Sequence, residues 1–376
     1  MPELVAIDAP WGPAFVDTLR RVWDAGDAAA VLDRRLPPPA AEAQRQALRP
    51  GAVVGEDGQR RSLHGGAHVE PGDAVVLGTS GSTGTPKGVV LTHAALEASA
   101  QATSERLQVD PQRDRWLACL PLAHVGGLAV ITRALATGTG LEVHGRFDAA
   151  AAEAAARRGA TLVSLVATAL QRIDASLFRL VLLGGAAPPH QLPPNVVTTY
   201  GMTETGSGVV YDGCPLEGVQ LRIGDGRLGA EGEVLVRAPM LLRVYRDGTD
   251  PRLPGGWFPT GDAGRLDADG RLQVLGRMAE VIVTGGEKVW PAAVEPVLAA
   301  HPGVAEVAVG GRPDPEWGQR VVAWVVPRHP ERPPTLPDLK DLARQQLAPW
   351  AAPRELVLVE QLPRTANGKI RRAALR

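Results

Sequence analysis

Between two apolar runs the chain reads Gly78-Thr79-Ser80-Gly81-Ser82-Thr83-Gly84-Thr85-Pro86-Lys87-Gly88. The runs at residues 74–77 and 89–91 predict β-strands, so this segment is a glycine-rich loop between two strands. Glycines let the backbone approach a ligand closely and point successive N–H groups into a concave surface. Hydroxyl groups add donors, and the lysine adds a compact positive charge. The segment predicts a cradle for a polyphosphate, and a flexible surface linker of the same composition is the alternative.

Lysine is rare in this chain, which makes the lysine of the loop informative. Among 40 Lys+Arg residues, the lysines are Lys87, Lys288, Lys340 and Lys369. A chain that uses arginine for almost all of its positive charge has placed an ammonium group here, as suits a point charge against a phosphate. The loop departs from the P-loop pattern G-x-x-x-x-G-K-[ST], because Gly84 is followed by Thr85 and Pro86. A P-loop NTPase is therefore disfavoured.

Length and composition indicate an ordinary globular protein. With 376 residues, a hydrophobic fraction of 44% and a net charge of −1, the chain is long enough for two domains and lacks the basic surplus of nucleic-acid-binding proteins. Cys119 and Cys214 show no metal-ligand or disulfide pattern. No signal-peptide pattern is present, and the longest apolar run, near residues 162–170, is too short to span a bilayer. We expect a cytoplasmic protein without a nucleic-acid or membrane partner.

The pattern of apolar residues predicts an α/β fold. Helices are predicted over residues 11–32, over residues 93–107 with Thr92 as the N-cap, and over residues 148–158. Buried strands are predicted over residues 161–165, 180–183 and 196–200. Such alternation is typical of α/β sheets, which bind ligands at the carboxyl ends of their strands. The glycines that follow the second and third of these strands would lie at that edge.

The second half of the chain has a different pattern. Short strands separated by turn signals, from about residue 216, predict a small β-rich subdomain. A helix, two strands and another helix after residue 290 predict a compact α+β unit. We therefore expect a large N-terminal domain over residues 1–276, made of α/β sheets and the β-rich subdomain, and a small C-terminal domain over residues 277–376.

Five separated motifs, taken together, resemble those of the adenylate-forming superfamily of acyl-CoA synthetases, luciferase-like enzymes and peptide-synthetase adenylation domains. They occur in the order expected for that family, from about residue 73 to the end of the chain. The motifs are the glycine-rich loop, Tyr200-Gly201-Met202-Thr203-Glu204-Thr205, Thr260-Gly261-Asp262, Gly276-Arg277, and Pro363-Arg364-Thr365-Ala366-Asn367-Gly368-Lys369-Ile370. The joint occurrence is more specific than any one motif.

The resemblance implies an ATP site with Mg²⁺. In the family the loop surrounds the β- and γ-phosphates, Tyr200 stacks on adenine, Thr203 meets the α-phosphate, Glu204 binds Mg²⁺ and Asp262 binds the ribose hydroxyls. Mg²⁺ prefers hard oxygen ligands alongside substrate phosphates, which suits a glutamate. The nucleotide-binding residues that this resemblance implies are Thr79, Ser80, Gly81, Ser82, Thr83, Gly84, Gly184, Gly185, Ala186, Tyr200, Gly201, Asp262 and Arg277.

The resemblance also implies a two-step reaction with a mobile C-terminal domain. A carboxylate attacks the α-phosphorus of ATP, giving an acyl-adenylate and pyrophosphate, and the thiol of coenzyme A then releases AMP. Lys369 would bridge carboxylate and α-phosphate in the first step, while Lys87 would serve the departing pyrophosphate. Gly285 and Gly286 would line the pantetheine tunnel in the second. The usual Asp or Lys of the family hinge is Ala279 here, which leaves the site of the hinge open.

The acyl substrate is indicated by two further segments. Leu120-Pro121-Leu122-Ala123-His124-Val125-Gly126-Gly127 is similar to the family's acyl-pocket segment, with His124 as catalytic gate or pocket wall and no acid to pair an amino group. Residues 200–216, and the short stretch before Thr79, resemble the subgroup that converts o-succinylbenzoate to its CoA thioester for menaquinone biosynthesis. Ser164, Thr168, Gly206 and Ser207 are candidates for substrate binding.

Other readings of the same motifs stay open. Within the class, the substrate could be a benzoate-like or a medium-chain acid. Outside it, the chain could be a non-catalytic adenylate-binding protein, although Lys369 and Glu204 are both retained. Analogy with the family also predicts a homodimer.

Overall fold

Helices and strands alternate through the first half of the chain, as the sequence pattern predicts. The computed structural model describes residues 1–80, 86–186, 188–189, 191–224, 226, 229–364 and 370–375. The α-helices are α1 Pro13–Asp24, α2 Pro38–Leu48, α3 His93–Leu107, α4 Val125–Thr137, α5 Ala149–Arg157, α6 Ala167–Leu170, α7 Pro291–Ala299 and α8 Leu336–Gln346.

Strands dominate the middle of the chain, between α6 and α7. In chain order the strands are β1 Leu4–Ile7, β2 Ala28–Val31, β3 Ala52–Val54, β4 Arg60–Ser62, β5 Asp73–Ser80, β6 Pro86–Thr92, β7 Arg115–Ala118, β8 Gly140–Val143, β9 Leu162–Leu165, β10 Leu180–Leu183, β11 Val196–Met202, β12 Ser207–Tyr211, β13 Cys214–Pro215, β14 Gln220–Ile223, β15 Gly232–Arg237, β16 Val244–Tyr245, β17 Phe258–Leu266, β18 Leu272–Arg277, β19 Ile282–Thr284, β20 Glu287–Val289, β21 Val304–Asp314, β22 Gly318–Pro327 and β23 Glu355–Leu358.

The chain divides into two compact units. The first contains Met1–Leu221, Val236–Phe258 and Gly270–Leu272, and the second contains Arg222–Leu235, Pro259–Asp269 and Gln273–Arg376. These units are groups of segments that pack together, and they do not identify a point about which one domain rotates. The predicted boundary between residues 276 and 277 therefore stays a prediction.

Two seven-stranded sheets form the first unit. One has the strand order β16-β6-β5-β2-β1-β3-β4, with β5 and β6 antiparallel to each other. The other has the order β13-β12-β11-β10-β9-β7-β8, and its strands from β8 to β11 are parallel. Helix α5 buries Ala152 and Ala155 against this second sheet, next to Val163 and Val181. Parallel strands buried in this way present their carboxyl ends at a single edge, where ligands bind in α/β sheets.

The second unit has a sheet with the order β20-β19-β22-β21, to which β23 adds in parallel beside β22. Helices α7 and α8 cover it, and Val294, Leu298, Leu339 and Ala343 are buried against its strands. A four-stranded sheet with the order β14-β15-β17-β18 lies mostly in this unit. The small α+β arrangement predicted for the end of the chain is present.

The helix predicted over residues 11–32 is wrong in its second half. Helix α1 ends at Asp24, and Gly26 then adopts a positive φ of 78° that side-chain-bearing residues avoid. The following alanines form β2, which is fully buried between β1 and β5. Alanine has no strong strand preference of its own, so burial in the sheet decides the outcome there. By contrast, α3 has the predicted ends, and Thr92 accepts a hydrogen bond from Ala95 N at 3.1 Å as its N-cap.

Candidate nucleotide and acyl site

The glycine-rich loop is closed by a two-stranded ribbon. Strands β5 and β6 pair Gly78 with Gly88 and Thr79 with Lys87, and the Thr79 hydroxyl lies 3.4 Å from the Lys87 carbonyl. Gly88 permits close packing, because a Cβ there would be 2.7 Å from the Cβ of Arg246. The loop residues Gly81, Ser82, Thr83 and Gly84 lie outside the described residues. The predicted strand–loop–strand frame is confirmed.

Lys87 and Glu204 both contact Tyr245, a residue that the sequence analysis did not select. The ammonium of Lys87 lies 5.0 Å from the centroid of the tyrosine ring, within cation–π range. The tyrosine hydroxyl donates to Oε1 of Glu204 at 3.1 Å. Burial raises the pKa of Tyr245, and the charge of Glu204 raises it further, so the phenol stays a donor. The structure thus joins a loop cation to the predicted metal ligand through one side chain.

The segment carrying Glu204 is a tight turn between β11 and β12. Residues Thr203–Thr205 form a single 3-10 turn, in which Thr205 Oγ1 accepts from Met202 N at 2.9 Å. Gly201 allows the strands to meet, because a Cβ there would lie 2.1 Å from the Ser207 carbonyl oxygen. This turn fixes Thr203 and Glu204 at the end of β11, directly after Tyr200.

Gly184, Gly185 and Ala186 follow β10, the strand next to β11. A Cβ at Gly184 would lie 2.6 Å from the Thr199 hydroxyl, and Gly185 has a φ of 88°. Both glycines therefore have structural reasons to be glycine. They lie at the same edge of the sheet as Tyr200, which is where the sequence pattern places them.

The second unit holds the predicted ribose ligands together. Asp262 is buried, with 6% of its surface exposed, and its Oδ1 lies 3.0 Å from Nε of Arg277. Arg277 also donates from Nη1 to the Thr260 carbonyl at 3.2 Å. Gly261, between them, has a φ of 71° and donates to Glu233 at 2.9 Å. The Thr260-Gly261-Asp262 turn and the Gly276-Arg277 motif therefore form one cluster.

His124 caps the start of α4 and belongs to a polar cluster on the first unit. Arg35 Nη2 lies 2.8 Å from His124 Nε2, and Asp33 accepts two hydrogen bonds from the Arg35 guanidinium. Burial would raise the pKa of Asp33, but the hydrogen bonds and charge of Arg35, with His124 nearby, hold it below its ordinary range.

The four other predicted acyl-site residues lie in strands of the second sheet or directly after one of its strands and turns. Ser164 is half-buried in β9, Thr168 is exposed in α6, and Gly206 and Ser207 follow the Glu204 turn. Gly206 has a φ of 67°, and a Cβ there would meet the Met240 carbonyl at 3.1 Å. The structure brings these residues to one sheet.

Arg133 of α4 is a second residue that the sequence analysis did not select. Its side chain is fully buried and stacks over Trp116 at 4.9 Å. Nε and Nη1 find no hydrogen-bond partner among the described residues. Burial lowers the pKa of this guanidinium, and no described carboxylate compensates it. A buried cation in this state is costly unless a ligand supplies the missing partner.

Gly285 and Gly286 form the two-residue turn of the hairpin β19–β20. Both have positive φ, 59° and 86°, which is the geometry of a type I′ turn. A Cβ at Gly285 would also lie 2.7 Å from the Trp317 ring. These contacts explain the glycines by turn geometry alone, and their tunnel role stays a prediction.

Lys369, the lysine predicted to act in adenylation, lies outside the described residues. Among the residues that the structure describes, no three His, Cys, Asp or Glu side chains cluster as a metal site would require. A single carboxylate such as Glu204 suits Mg²⁺ that is held mainly by substrate phosphates and water. Within the same residues, no helix is long and apolar enough to cross a bilayer.

Comparison with known proteins defines the class. Residues 63–246 match the AMP-binding enzyme family, and residues 293–369 match the AMP-binding enzyme C-terminal domain. A probable 2-succinylbenzoate–CoA ligase of Mycobacterium tuberculosis is 40% identical over 353 residues, covering 86% of this chain and 90% of that protein. The chain therefore belongs to the AMP-binding enzyme family, and the resemblance read from the five motifs is confirmed.

The same activity recurs among further relatives. The 2-succinylbenzoate–CoA ligase of Enterococcus faecalis is 34% identical, covering 79% of this chain and 68% of that protein. The o-succinylbenzoate CoA synthetase of Bacillus subtilis, solved with its acyl-adenylate intermediate, superposes with a TM-score of 0.87 at 28% identity, covering 99% of this chain and 87% of that one. That synthetase solved with ATP and a magnesium ion gives a TM-score of 0.85 at 27% identity, covering 99% and 89%. The predicted α/β fold class is confirmed by this likeness.

Proposed function

We propose that this protein is an ATP-dependent ligase that converts o-succinylbenzoate to o-succinylbenzoyl-CoA through an acyl-adenylate, releasing pyrophosphate and AMP. The observation that carries the proposal is the meeting of Lys87 and Glu204 on Tyr245, beside the phosphate-binding frame. Relatives of 34–40% identity that are named for this reaction support it. The product is the thioester used in menaquinone biosynthesis.

Each unit, taken by itself, has residues that suit one part of the nucleotide. In the first, the β5–β6 frame and Lys87 would receive the phosphates, Tyr200 the adenine, and Thr203 the α-phosphate. In the second, Asp262, which pairs with Arg277 through Oδ1, would bind the ribose hydroxyls. Glu204 would hold Mg²⁺, which supplies positive charge to the phosphate oxygens.

The chemistry requires two anions to approach each other. A carboxylate oxygen forms a bond to the α-phosphorus, and the bond from that phosphorus to the pyrophosphate oxygen breaks. Lys87 would stabilise the departing pyrophosphate and Lys369 the charge between carboxylate and α-phosphate, because fixed cations lower the energy of such a transition state. In the second step the sulfur of coenzyme A bonds to the acyl carbon, and AMP leaves. Gly285 and Gly286 would border the path of the thiol.

The acid proposed as substrate has a second carboxylate, which needs a partner in the acyl site. Arg133 is a buried guanidinium with two N–H groups unpartnered among the described residues. It lies on α4, the helix that His124 caps. We assign it the second carboxylate, which would accept from one of these N–H groups and compensate the buried charge. Ser164, Thr168, Gly206 and Ser207 would line the same pocket.

The two half-reactions test this proposal separately. Acid-dependent ATP–pyrophosphate exchange measures adenylation, and CoA-dependent AMP release from a supplied acyl-adenylate measures thioesterification. Lys369→Ala should abolish exchange and spare thioesterification, while Lys340→Ala, at another lysine of the C-terminal region, should change neither. Equal loss of both half-reactions in Lys369→Ala would contradict the assigned role. No exchange with any acid in a panel would favour a non-catalytic adenylate-binding protein.

Three statements complete the proposal. The C-terminal domain, residues 277–376, would move between the half-reactions, as the family resemblance implies. We also propose a cytoplasmic location, as expected from the sequence pattern, and a homodimer by analogy with the family. Cell fractionation and size-exclusion chromatography with light scattering test the last two directly.

A further inference from the structure

We propose that Tyr245 is a positioning residue that couples the phosphate-loop lysine to the magnesium-binding carboxylate. The inference rests on the proposed function, because it takes Lys87 and Glu204 as the groups that meet MgATP. The hydroxyl of Tyr245 would orient Glu204, and the face of its ring would hold the Lys87 ammonium. The readout that separates this role from a merely structural one is the dependence of nucleotide binding on Mg²⁺.

The strands place Tyr245 between the two groups. In the pairing of β16 with β6, Tyr245 lies opposite Val89, and Lys87 is two residues from Val89 along the same strand. Residues two apart on a strand share a face, so the lysine reaches the ring of the neighbouring strand. On the other side, Leu242 N donates to the Glu204 carbonyl at 2.8 Å, which ties the backbone of the glutamate to the segment that leads into β16.

The position of Tyr245 is fixed by the residue after it. Arg246 N donates to the Gly88 carbonyl at 2.7 Å, and the Arg246 guanidinium donates to the Leu48 carbonyl at 2.8 Å. It also donates to the His68 carbonyl at 2.5 Å. These bonds tie β16 to the edge of the first sheet. The backbone that carries the tyrosine is therefore tied to the sheet on both sides of the strand pairing.

Its two contacts perform different tasks. The hydroxyl donates to Oε1 of Glu204, which fixes the plane of the carboxylate and leaves Oε2 to a metal ion or its water. The aromatic face attracts the Lys87 ammonium through a cation–π contact, which holds it beside the loop. Hydrogen bonds lower the pKa of Asp247, and the charge of Lys87 lowers it further, so this carboxylate lies near the same ammonium.

Two substitutions separate the tasks. Tyr245→Phe keeps the ring and removes the hydroxyl, and Tyr245→Leu removes both. The matched control is Tyr211→Phe, which deletes the buried hydroxyl that lies 3.1 Å from the Thr103 hydroxyl, away from the loop. Each purified variant is titrated with ATP by calorimetry, without any acid substrate, once with Mg²⁺ and once with a chelator.

We expect Tyr245→Phe to weaken binding of MgATP roughly tenfold, the usual effect of one hydrogen bond to a charged group, while metal-free ATP binds within twofold of wild type. Tyr245→Leu should weaken both forms, and Tyr211→Phe should change neither. Equal binding of MgATP by wild type and Tyr245→Phe would overturn the inference, and so would equal weakening of both forms in that variant. Failure of the wild-type protein to bind MgATP would instead overturn the proposed function.

Discussion

Replacement of Arg133 by methionine should have opposite effects on stability and on activity. Methionine has a similar length and no charge, so it can occupy the space over Trp116 without leaving a large cavity. In the wild-type protein the guanidinium is 2% exposed, and its Nε and Nη1 have no partner among the described residues. Removing an uncompensated buried charge stabilises a protein, here by about 1–3 kcal/mol.

The activity should fall because the substrate loses its counter-charge. A hydrogen bond from a charged group contributes about 1.5–3 kcal/mol, and one of the two unpartnered donors of Arg133 can face the carboxylate. Its loss lowers kcat/KM for o-succinylbenzoate by a factor of roughly 10 to 150. An analogue whose second carboxylate is esterified should be used equally poorly by wild type and Arg133→Met, because the pairing is already absent.

Thermal unfolding and ATP–pyrophosphate exchange measure the two effects on the same preparations. Arg157→Met is the matched control, because Arg157 is 61% exposed and forms a surface ion pair with Glu153. It should leave both stability and exchange unchanged. Exchange by Arg133→Met within threefold of wild type would refute the assignment. The assignment would also be refuted if Arg133→Met lowered exchange with the esterified analogue as much as it lowers exchange with o-succinylbenzoate.

Three further substitutions are predicted to act on separate parts of the molecule. Asp262→Asn should raise the KM for ATP roughly 10- to 100-fold in exchange assays and abolish the preference for ATP over 2′,3′-dideoxy-ATP; a preserved preference would contradict ribose binding. Gly285→Ala places a Cβ 2.7 Å from Trp317 and should raise the KM for CoA at least tenfold. Pyrophosphate exchange by Gly285→Ala should persist. Loss of both half-reactions in this variant would contradict a role restricted to the CoA step and would indicate general misfolding. Burial would raise the pKa of Asp114, but hydrogen bonds from Arg179, the backbone and a threonine hydroxyl hold it below its ordinary range. This ionised carboxylate stabilises the fold above about pH 4, and the stabilisation is lost as the pH falls through the folded-state pKa of Asp114. Asp114→Asn should therefore lower the free energy of unfolding by about 2 kcal/mol at pH 7. In denaturation experiments over a series of pH values, the variant should lose less stability on acidification than wild type.

Local patterns in the sequence predicted the frame of the site. Apolar runs on both sides of the glycine-rich loop specify β5 and β6, and the cap at Thr92 specifies the start of α3. Contiguous motifs such as Tyr200–Thr205 keep their chemistry within one turn, so a linear reading can find them. The helix predicted across Gly26 failed because an alanine-rich strand has no local signal apart from the glycine that precedes it.

Residues that act through long-range contacts were missed. Tyr245 contacts Glu204 across 41 residues of sequence, and Arg35 contacts His124 across 89. Tyr245 and Arg35 themselves do not lie in any of the motifs. One signal was available, because the chain has only three tyrosines and two of them, Tyr200 and Tyr245, lie in the candidate site. The scarcity that made Lys87 informative applies equally to these tyrosines. The unpartnered guanidinium of Arg133, by contrast, is visible only once burial is known.

Thioester formation from a panel of acids shows which acid the protein activates. The purified protein is incubated with ATP, Mg²⁺ and CoA together with o-succinylbenzoate, benzoate or octanoate, and the thioester formed is identified by mass spectrometry. We predict o-succinylbenzoyl-CoA with stoichiometric AMP, and at least a hundredfold lower rate with the two monocarboxylic acids. Faster thioester formation from benzoate or octanoate than from o-succinylbenzoate would contradict the account.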